Sequence, residues 1–83
     1  MRVWTKIYRN NKIVGSHTAE SLEQDQGLAL LRCMEEICKK LDLAEPVWVS
    51  KHSRDLSVFR RTKLYPSDFM EPVSFDYSTV EIL

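Results

Sequence analysis

An amphipathic segment, residues 22–41, constrains the fold of this 83-residue chain more than any other feature of its sequence. Ser21 precedes it in the position of an N-cap, and Gln24 follows three residues later, as in a capping box. Lys39 and Lys40 stand in the last turn, where the negative end of the helix dipole favours cations. These signals together predict one long helix.

The apolar stripe of this predicted helix is wide. At about 100° per residue its apolar side chains fall within an arc of roughly 200°. They are Leu22, Ala29, Leu30, Leu31, Cys33, Met34, Ile37, Cys38 and Leu41. One face of a small sheet covers only part of such an arc. A second surface must cover the remainder, either another part of this chain or a partner's copy of the same helix.

The start of the chain predicts a β-hairpin. Residues 3–9 and 12–18 are rich in β-branched and aromatic residues, and Asn10-Asn11 between them suits a two-residue turn with positive φ. Pairing about that turn gives three opposed pairs, Tyr8 with Ile13, Lys6 with Gly15 and Trp4 with His17. The face expected to meet the core then carries Val3, Thr5, Ile7, Val14, Ser16 and Thr18. Trp4 and Tyr8 are expected to be half covered on the other face.

The remainder of the chain predicts shorter elements. Residues 47–49 have the composition of a short strand, and residues 73–83 predict a final strand with a bend or bulge near Ser78. Residues 50–64 fit either a short helix with a serine as its N-cap or a strand, and we favour the helix.

These elements predict a single domain, residues 1–83, of the α+β class. The expected order is an N-terminal β-hairpin, one long amphipathic helix, a short strand, a short helix and a C-terminal strand. The strands are expected to form one small sheet with the helices on one face.

The sequence contains no segment typical of a membrane span or a signal peptide. Its longest apolar run, residues 28–31, is far shorter than the ~20 residues that a spanning helix needs. The N-terminal residues lack the apolar stretch of a secretion signal. The two cysteines provide no framework of disulfides. We therefore expect a cytoplasmic protein without membrane contact.

Candidate catalytic and metal-binding residues are few. Cys33 and Cys38 lie about 140° apart around a helix and inside the apolar stripe, so they are poorly placed to share a metal. Ser53, His52 and Asp55 supply the side chains of a catalytic triad, but neighbours in sequence rarely point the right way. With only two glycines there is no phosphate-binding loop. We therefore expect no enzyme activity, metal or cofactor.

The most suggestive binding surface centres on residues 51–63, where five basic side chains lie close to aromatic rings. The candidate residues are Trp48, Lys51, His52, Arg54, Phe59, Arg60, Arg61 and Lys63. Such a set could contact phosphates while a ring stacks on a base. Against nucleic acid, the chain has no net charge, and acidic segments on both sides offer the arginines other partners.

The order of the charges favours a role in protein contact. Residues 1–19 carry four bases and no acid, and residues 20–45 carry seven acids against three bases. Residues 46–63 carry five bases against one acid, and residues 64–83 carry four acids alone. Alternating blocks of this kind can pair within the chain or across a dimer. We therefore expect a non-catalytic protein that acts by protein–protein contact as a homodimer, with nucleic-acid binding through residues 51–63 as the alternative.

Overall fold

The computed structural model describes residues 1–83. Its elements are β1 (Arg2–Arg9), β2 (Lys12–Glu20), α1 (Gln26–Lys40), α2 (Ser50–Phe59), β3 (Arg61–Leu64), a 3₁₀ turn (Pro66–Asp68) and β4 (Tyr77–Ile82). The strands form one antiparallel sheet in the order β2-β1-β4-β3, with α1 packed on β1 and β2 and α2 packed beside β3. The predicted α+β class, the N-terminal hairpin and the helices on one face of the sheet are confirmed. No helix is both long and apolar enough to cross a bilayer.

The hairpin turns where predicted, but its strands are not in the predicted register. Both asparagines of the turn have positive φ, 53° and 63°. Tyr8 pairs with Ile13 as expected. The next pair is Ile7 with Gly15, so that Val14 is the extra residue of a β-bulge. One inserted residue reverses the face of every later position in β2, and the predicted core-facing residues of that strand were therefore wrong.

Beyond the bulge, the residues of β2 that share the core-facing side are Gly15, His17 and Ala19. Ala19 is buried opposite Val3, whereas Val14 is half exposed. The β1 half of the prediction is confirmed, because the aliphatic face of that strand is buried beneath the helices.

The long helix begins later than its sequence signals indicated. Its N-cap is Asp25, whose carboxylate accepts the N–H of Leu28 at 2.9 Å. The predicted cap, Ser21, instead continues the hairpin, since its N–H donates to the carbonyl of Met1 at 2.9 Å. That bond ties Ser21 to the start of β1, where it cannot open a helix. Leu22 therefore lies outside the helix and is 90% exposed.

The core lies between the two helices and the inner face of the sheet. Its largest fully buried aliphatic side chains are Val3, Ile37, Leu64 and Val80. The rest of the buried face of α1 is formed by Ala29, Cys33, Met34 and Cys38. Leu31, which also belongs to the predicted apolar stripe, remains 49% exposed, and Leu28, which does not, remains 38% exposed. One molecule therefore leaves part of the apolar surface of α1 uncovered.

The short strand lies after α2 and not before it. The predicted strand at residues 47–49 was wrong, since Val49 is the N-cap of α2. α2 ends at Arg60, a residue in the left-handed region with φ of 59°, and the chain then enters β3. Residues 50–64 therefore contain both of the structures that their sequence allowed.

The final strand is shorter than predicted, because residues 73–76 lie outside β4. Phe75 leaves the strand pattern to bury its ring edge-on against Phe69, at 5.4 Å between centroids. The alternation of core-facing residues therefore changes before β4 begins, and the bend predicted near Ser78 was wrong. Ser78 is a regularly paired residue of β4 and is 1% exposed.

Candidate functional site

Part of one face of the sheet, formed by alternate residues of β1, β4 and β3, has no helix packed across it. We call this surface the open face and define it by Trp4, Lys6, Tyr8, Arg61, Lys63, Tyr77, Thr79 and Glu81. α2 lies beside β3, so that Lys51, Asp55 and Phe59 border a shallow depression of about 530 Å³ on this face. Tyr65, directly after β3, lines the same depression.

The antiparallel register arranges the open face in rows that run across the strands, since residues directly opposite each other share a face. The rows are Trp4–Glu81–Arg61, Lys6–Thr79–Lys63 and Tyr8–Tyr77. The second of these is the cationic row and the third is the aromatic row. They lie side by side on neighbouring positions of the sheet.

The aromatic row centres on a stacked pair. The rings of Tyr8 and Tyr77 lie 4.7 Å apart between centroids, with 14° between their planes. Tyr65 extends the row, with its tilted ring 6.4 Å from that of Tyr77. All three residues keep exposed surface. The row can therefore be extended by a further planar group that stacks on it.

Each lysine on or beside the open face lies over an aromatic ring. The distances from Nζ to the ring centroid are 4.2 Å for Lys6 over Trp4, 4.9 Å for Lys63 over Tyr77 and 5.9 Å for Lys51 over Tyr65. Cation–π attraction keeps the ammonium group beside the ring, while its N–H groups remain able to bind an anion. Positive charge is thereby concentrated where the rings are.

The open face and its border carry a net positive charge. Their cations are Lys6, Lys51, Arg61 and Lys63, against the carboxylates of Asp55 and Glu81. Asp55 is already engaged, because it accepts the hydroxyl of Thr62 at 2.9 Å. A separate depression at the start of α1 is acidic, with Glu20, Glu23, Asp25 and Glu36 around Arg32. The neutral chain thus has a basic sheet face and an acidic side near the helix start.

The residues that the sequence suggested for binding do not form one surface. Lys51, Phe59, Arg61 and Lys63 lie on or beside the open face. Trp48 and Arg60 line a groove between α1 and α2, on the other side of the sheet. Arg54 is exposed and lines neither the groove nor the open face, and His52 is buried. The basic segment is therefore split between both sides of the sheet.

Sequence reasoning missed the residues of β1 and β4 that complete the open face. Lys6 and Tyr8 come from the start of the chain and Tyr77 from its end, and strand pairing alone brings them together. The alternation of Trp4, Lys6 and Tyr8 in β1 was a usable signal. A strand with aromatic and basic residues on its outward side offers far more contact area than one with small polar residues.

His52 has a structural role at the start of α2. Its Nδ1 accepts the N–H of Val49 at 3.1 Å, which assigns the ring proton to Nε2, 3.5 Å from a carboxylate oxygen of Asp68. The ring of Trp48 meets the imidazole edge-on at 5.5 Å. Asp55 hydrogen-bonds a threonine instead. The Ser-His-Asp set drawn from the sequence is therefore not assembled.

The two cysteines are free and buried in the core. Burial raises the pKa of the Cys33 thiol, and it raises the pKa of Cys38 to about 11, with a further contribution from Glu45. Both thiols stay protonated at neutral pH and serve as packing groups. No group of three or more His, Cys, Asp or Glu side chains lies close enough together to hold a metal ion.

The groove between α1 and α2 is a second concave surface, of about 650 Å³. Its apolar lining consists of Met1, Ala29, Leu30, Leu31, Trp48, Leu56 and Ile82. It includes part of the helix stripe that the sheet does not cover.

Comparison of the chain with protein-family models, with curated proteins and with solved structures gave no match. Fold and site together define an α+β domain with a bare, aromatic and basic sheet face. Function is therefore inferred from the geometry of that face.

Proposed function

We propose that this domain binds single-stranded nucleic acid on the open face of its sheet. The observation that carries the proposal is the adjacency of an aromatic row and a cationic row on a part of the sheet that has no helix packed across it. Single-strand binders of low sequence preference combine base stacking on aromatic rings with basic contacts to the backbone. The nucleic-acid surface expected from residues 51–63 alone is thereby replaced by a surface formed from β1, β4 and the α2–β3 segment, which lie far apart in the sequence.

The geometry supports both kinds of contact at once. A base that stacks on the Tyr8–Tyr77 pair contributes about 1–3 kcal/mol. Lys6 and Lys63 lie in the next row, one on each side of Thr79, where they can meet backbone phosphates. The Thr79 hydroxyl between them is buried and has no hydrogen-bond partner within the chain. A four-stranded sheet with aromatic residues on its bare face is a recurrent platform for unpaired bases.

The zero net charge of the chain is compatible with this function because the charges are segregated. The basic open face attracts a polyanion, and the acidic side at the start of α1 repels it, so that the ligand is steered to one face. If all four cations meet phosphates, the logarithm of affinity should fall with the logarithm of salt with a slope of about −3.

The test is fluorescence anisotropy with labelled single-stranded RNA and DNA, measured as salt is raised. In the double variant Lys6→Gln/Lys63→Gln the slope should become shallower by about 1.4, since two phosphate contacts are lost. Lys39→Gln/Lys40→Gln is the matched control, because it removes the same charge from the end of α1, away from the open face. Tyr77→Leu should weaken binding about fivefold or more through lost stacking.

Three results would contradict the proposal. They are the absence of binding at low salt, equal effects of the two double variants, and a preference for duplex over single strands. Circular dichroism of each variant checks that it is folded.

Self-association, the function favoured by the sequence, is a second candidate with an observation of its own. Leu28 and Leu31 keep exposed apolar surface, and β2 is an outer strand with a free edge. Light scattering after size exclusion at micromolar concentration tests it, and a monomer mass throughout would eliminate it. If charges hold the contact, added salt should weaken it.

A further inference from the structure

We infer that the open face selects guanine among the bases of a single strand, through the carboxylate of Glu81 and the guanidinium of Arg61. This inference rests on the proposed binding of single strands and names the base that the surface prefers.

Glu81 is the only acid among the residues that define the open face. It lies between Trp4 on β1 and Arg61 on β3, in the row that we call the Glu81 row. Arg61 is directly opposite Glu81, and opposite charges in such positions usually attract each other. None of the ion pairs of the structure includes either residue, however. Both charged groups are therefore free to bind a ligand.

The chemistry of the carboxylate limits what that ligand can be. A carboxylate on a surface that binds a polyanion repels the phosphates, and it only accepts hydrogen bonds. Its favourable partners in a nucleic acid are therefore N–H donors, which the edges of the bases supply. In single strands the Watson–Crick edges of the bases are open to such contacts.

Guanine is the base that fits both charged groups. Its Watson–Crick edge has two adjacent donors, N1–H and N2–H, which match the two oxygens of one carboxylate. Cytosine and adenine present an amino group beside a nitrogen that accepts, so the second carboxylate oxygen meets a lone pair. Arg61 fits the same base, because a guanidinium binds the two acceptors O6 and N7 of guanine. In adenine an amino donor replaces O6 and opposes the arginine.

The positions of the two side chains suit a single base. Directly opposed residues of antiparallel strands lie about 4.5–5.5 Å apart at Cα. Arg61 and Glu81 also line the same depression of the open face. Two long side chains that start so close together can contact neighbouring edges of one base. Trp4, on the other side of Glu81, is half-buried and adds ring surface beside it.

The Glu81 row and the aromatic row lie on opposite sides of the cationic row. Glu81 and Tyr77 are four positions apart on β4, which corresponds to about 13 Å. A strand that crosses the face can therefore place one base on the tyrosines, its phosphates beside Lys6 and Lys63, and a guanine at the Glu81 row. The guanine and the stacked base are then different nucleotides of one strand.

Fluorescence anisotropy with a set of labelled oligouridylates tests the preference. Each probe carries one different nucleotide at its centre, which is guanosine, inosine, adenosine or cytidine. The guanosine probe should bind about 5- to 100-fold more tightly than the adenosine probe, since one bidentate pair discriminates by about that factor. Inosine keeps N1–H and O6 but lacks the amino group of guanine, so its probe should bind with intermediate affinity.

The variant Glu81→Gln should remove most of the preference, because an amide offers one acceptor and sets a donor against the second N–H of guanine. It also removes a negative charge, which changes the affinity for every probe, so the measured quantity is the ratio of the adenosine Kd to the guanosine Kd. Arg61→Lys keeps the charge but loses the planar fork, and it should lower the same ratio. Glu35→Gln is the matched control, since it removes one carboxylate from an exposed position of α1 and should leave the ratio unchanged.

The outcomes separate this inference from the proposed function. Absence of binding to every probe would refute the proposed function and the guanine preference with it. Equal affinity for all four probes would refute the guanine preference alone. So would a Glu81→Gln variant that binds every probe more tightly by the same factor, because the carboxylate would then act only by repulsion. A preference for RNA over DNA that Glu81→Gln abolishes equally for every base would assign the carboxylate to the ribose 2′-hydroxyl and overturn its assignment to guanine.

Discussion

Alkaline pH should destabilise this protein through the buried thiol of Cys38. Cys38 is 4% exposed in the core, and burial raises its pKa from 9.0 to about 11. In the unfolded chain the thiol regains its ordinary pKa. Below that value the thiol is protonated in both states, and its contribution to stability is complete. Above it the unfolded chain gains free energy by ionising, whereas the folded chain does not, so stability falls as pH rises towards the folded pKa.

The size of the loss follows from the two pKa values. Between pH 9.0 and about 11 the free energy of unfolding should fall by roughly 1.4 kcal/mol per pH unit. From about pH 8 to about pH 10.5 the total from Cys38 is therefore roughly 2 kcal/mol. That is a substantial part of the 5–15 kcal/mol that stabilises a typical small domain.

The assay is urea unfolding followed by far-ultraviolet circular dichroism at the two pH values, with a reductant present. The unmodified protein is compared with Cys38→Ala, in which the remaining titrating groups are the same. Their effects cancel in the difference, including that of Cys33, whose pKa is also raised. The unmodified protein should lose roughly 2 kcal/mol more than the variant between the two pH values. Equal losses in both proteins would show that the Cys38 thiol is not held protonated by burial.

Two further predictions concern α1. Asp25→Ala should lower the free energy of unfolding in urea by about 1 kcal/mol, because the N–H of Leu28 loses its capping acceptor. Asp25→Ser should retain most of the capping stability, because a serine hydroxyl can accept the same N–H. Equal losses in both variants would reject Asp25 as the cap. Ile37→Asp should abolish the cooperative thermal transition, since Ile37 is 0% exposed and a buried unpaired carboxylate costs several kcal/mol; an unchanged midpoint would place Ile37 outside the core.

The local elements of this fold were largely readable from the sequence. Hydrophobic periodicity identified α1, and the Asn10-Asn11 turn identified the hairpin, because both signals arise from residues close together in the chain. The ends of the helices and strands were harder to predict from the sequence. The start of α1 depends on a backbone bond from Ser21 to Met1, a contact between positions far apart in sequence.

The register of β2 was also not predictable from residues close together in the chain. A strand that alternates on both faces fits the core in either phase, and the bulge at Val14 chooses between them. That choice depends on which of its faces packs beneath α1. No residue within β2 indicates which of its two faces packs against the core.

The sequence by itself determined the components of the fold: the α+β class, one amphipathic helix and two unreactive cysteines. It also determined that the chain contains many basic and aromatic residues although its net charge is zero. Tertiary structure alone decided where those residues meet. Tyr8 and Tyr77 stack because antiparallel pairing of β1 with β4 sets them opposite each other. The basic segment is divided because consecutive residues of a strand point to opposite faces and a helix turns its side chains around an axis. A binding surface depends on proximity in space, and proximity along the chain only partly predicts it.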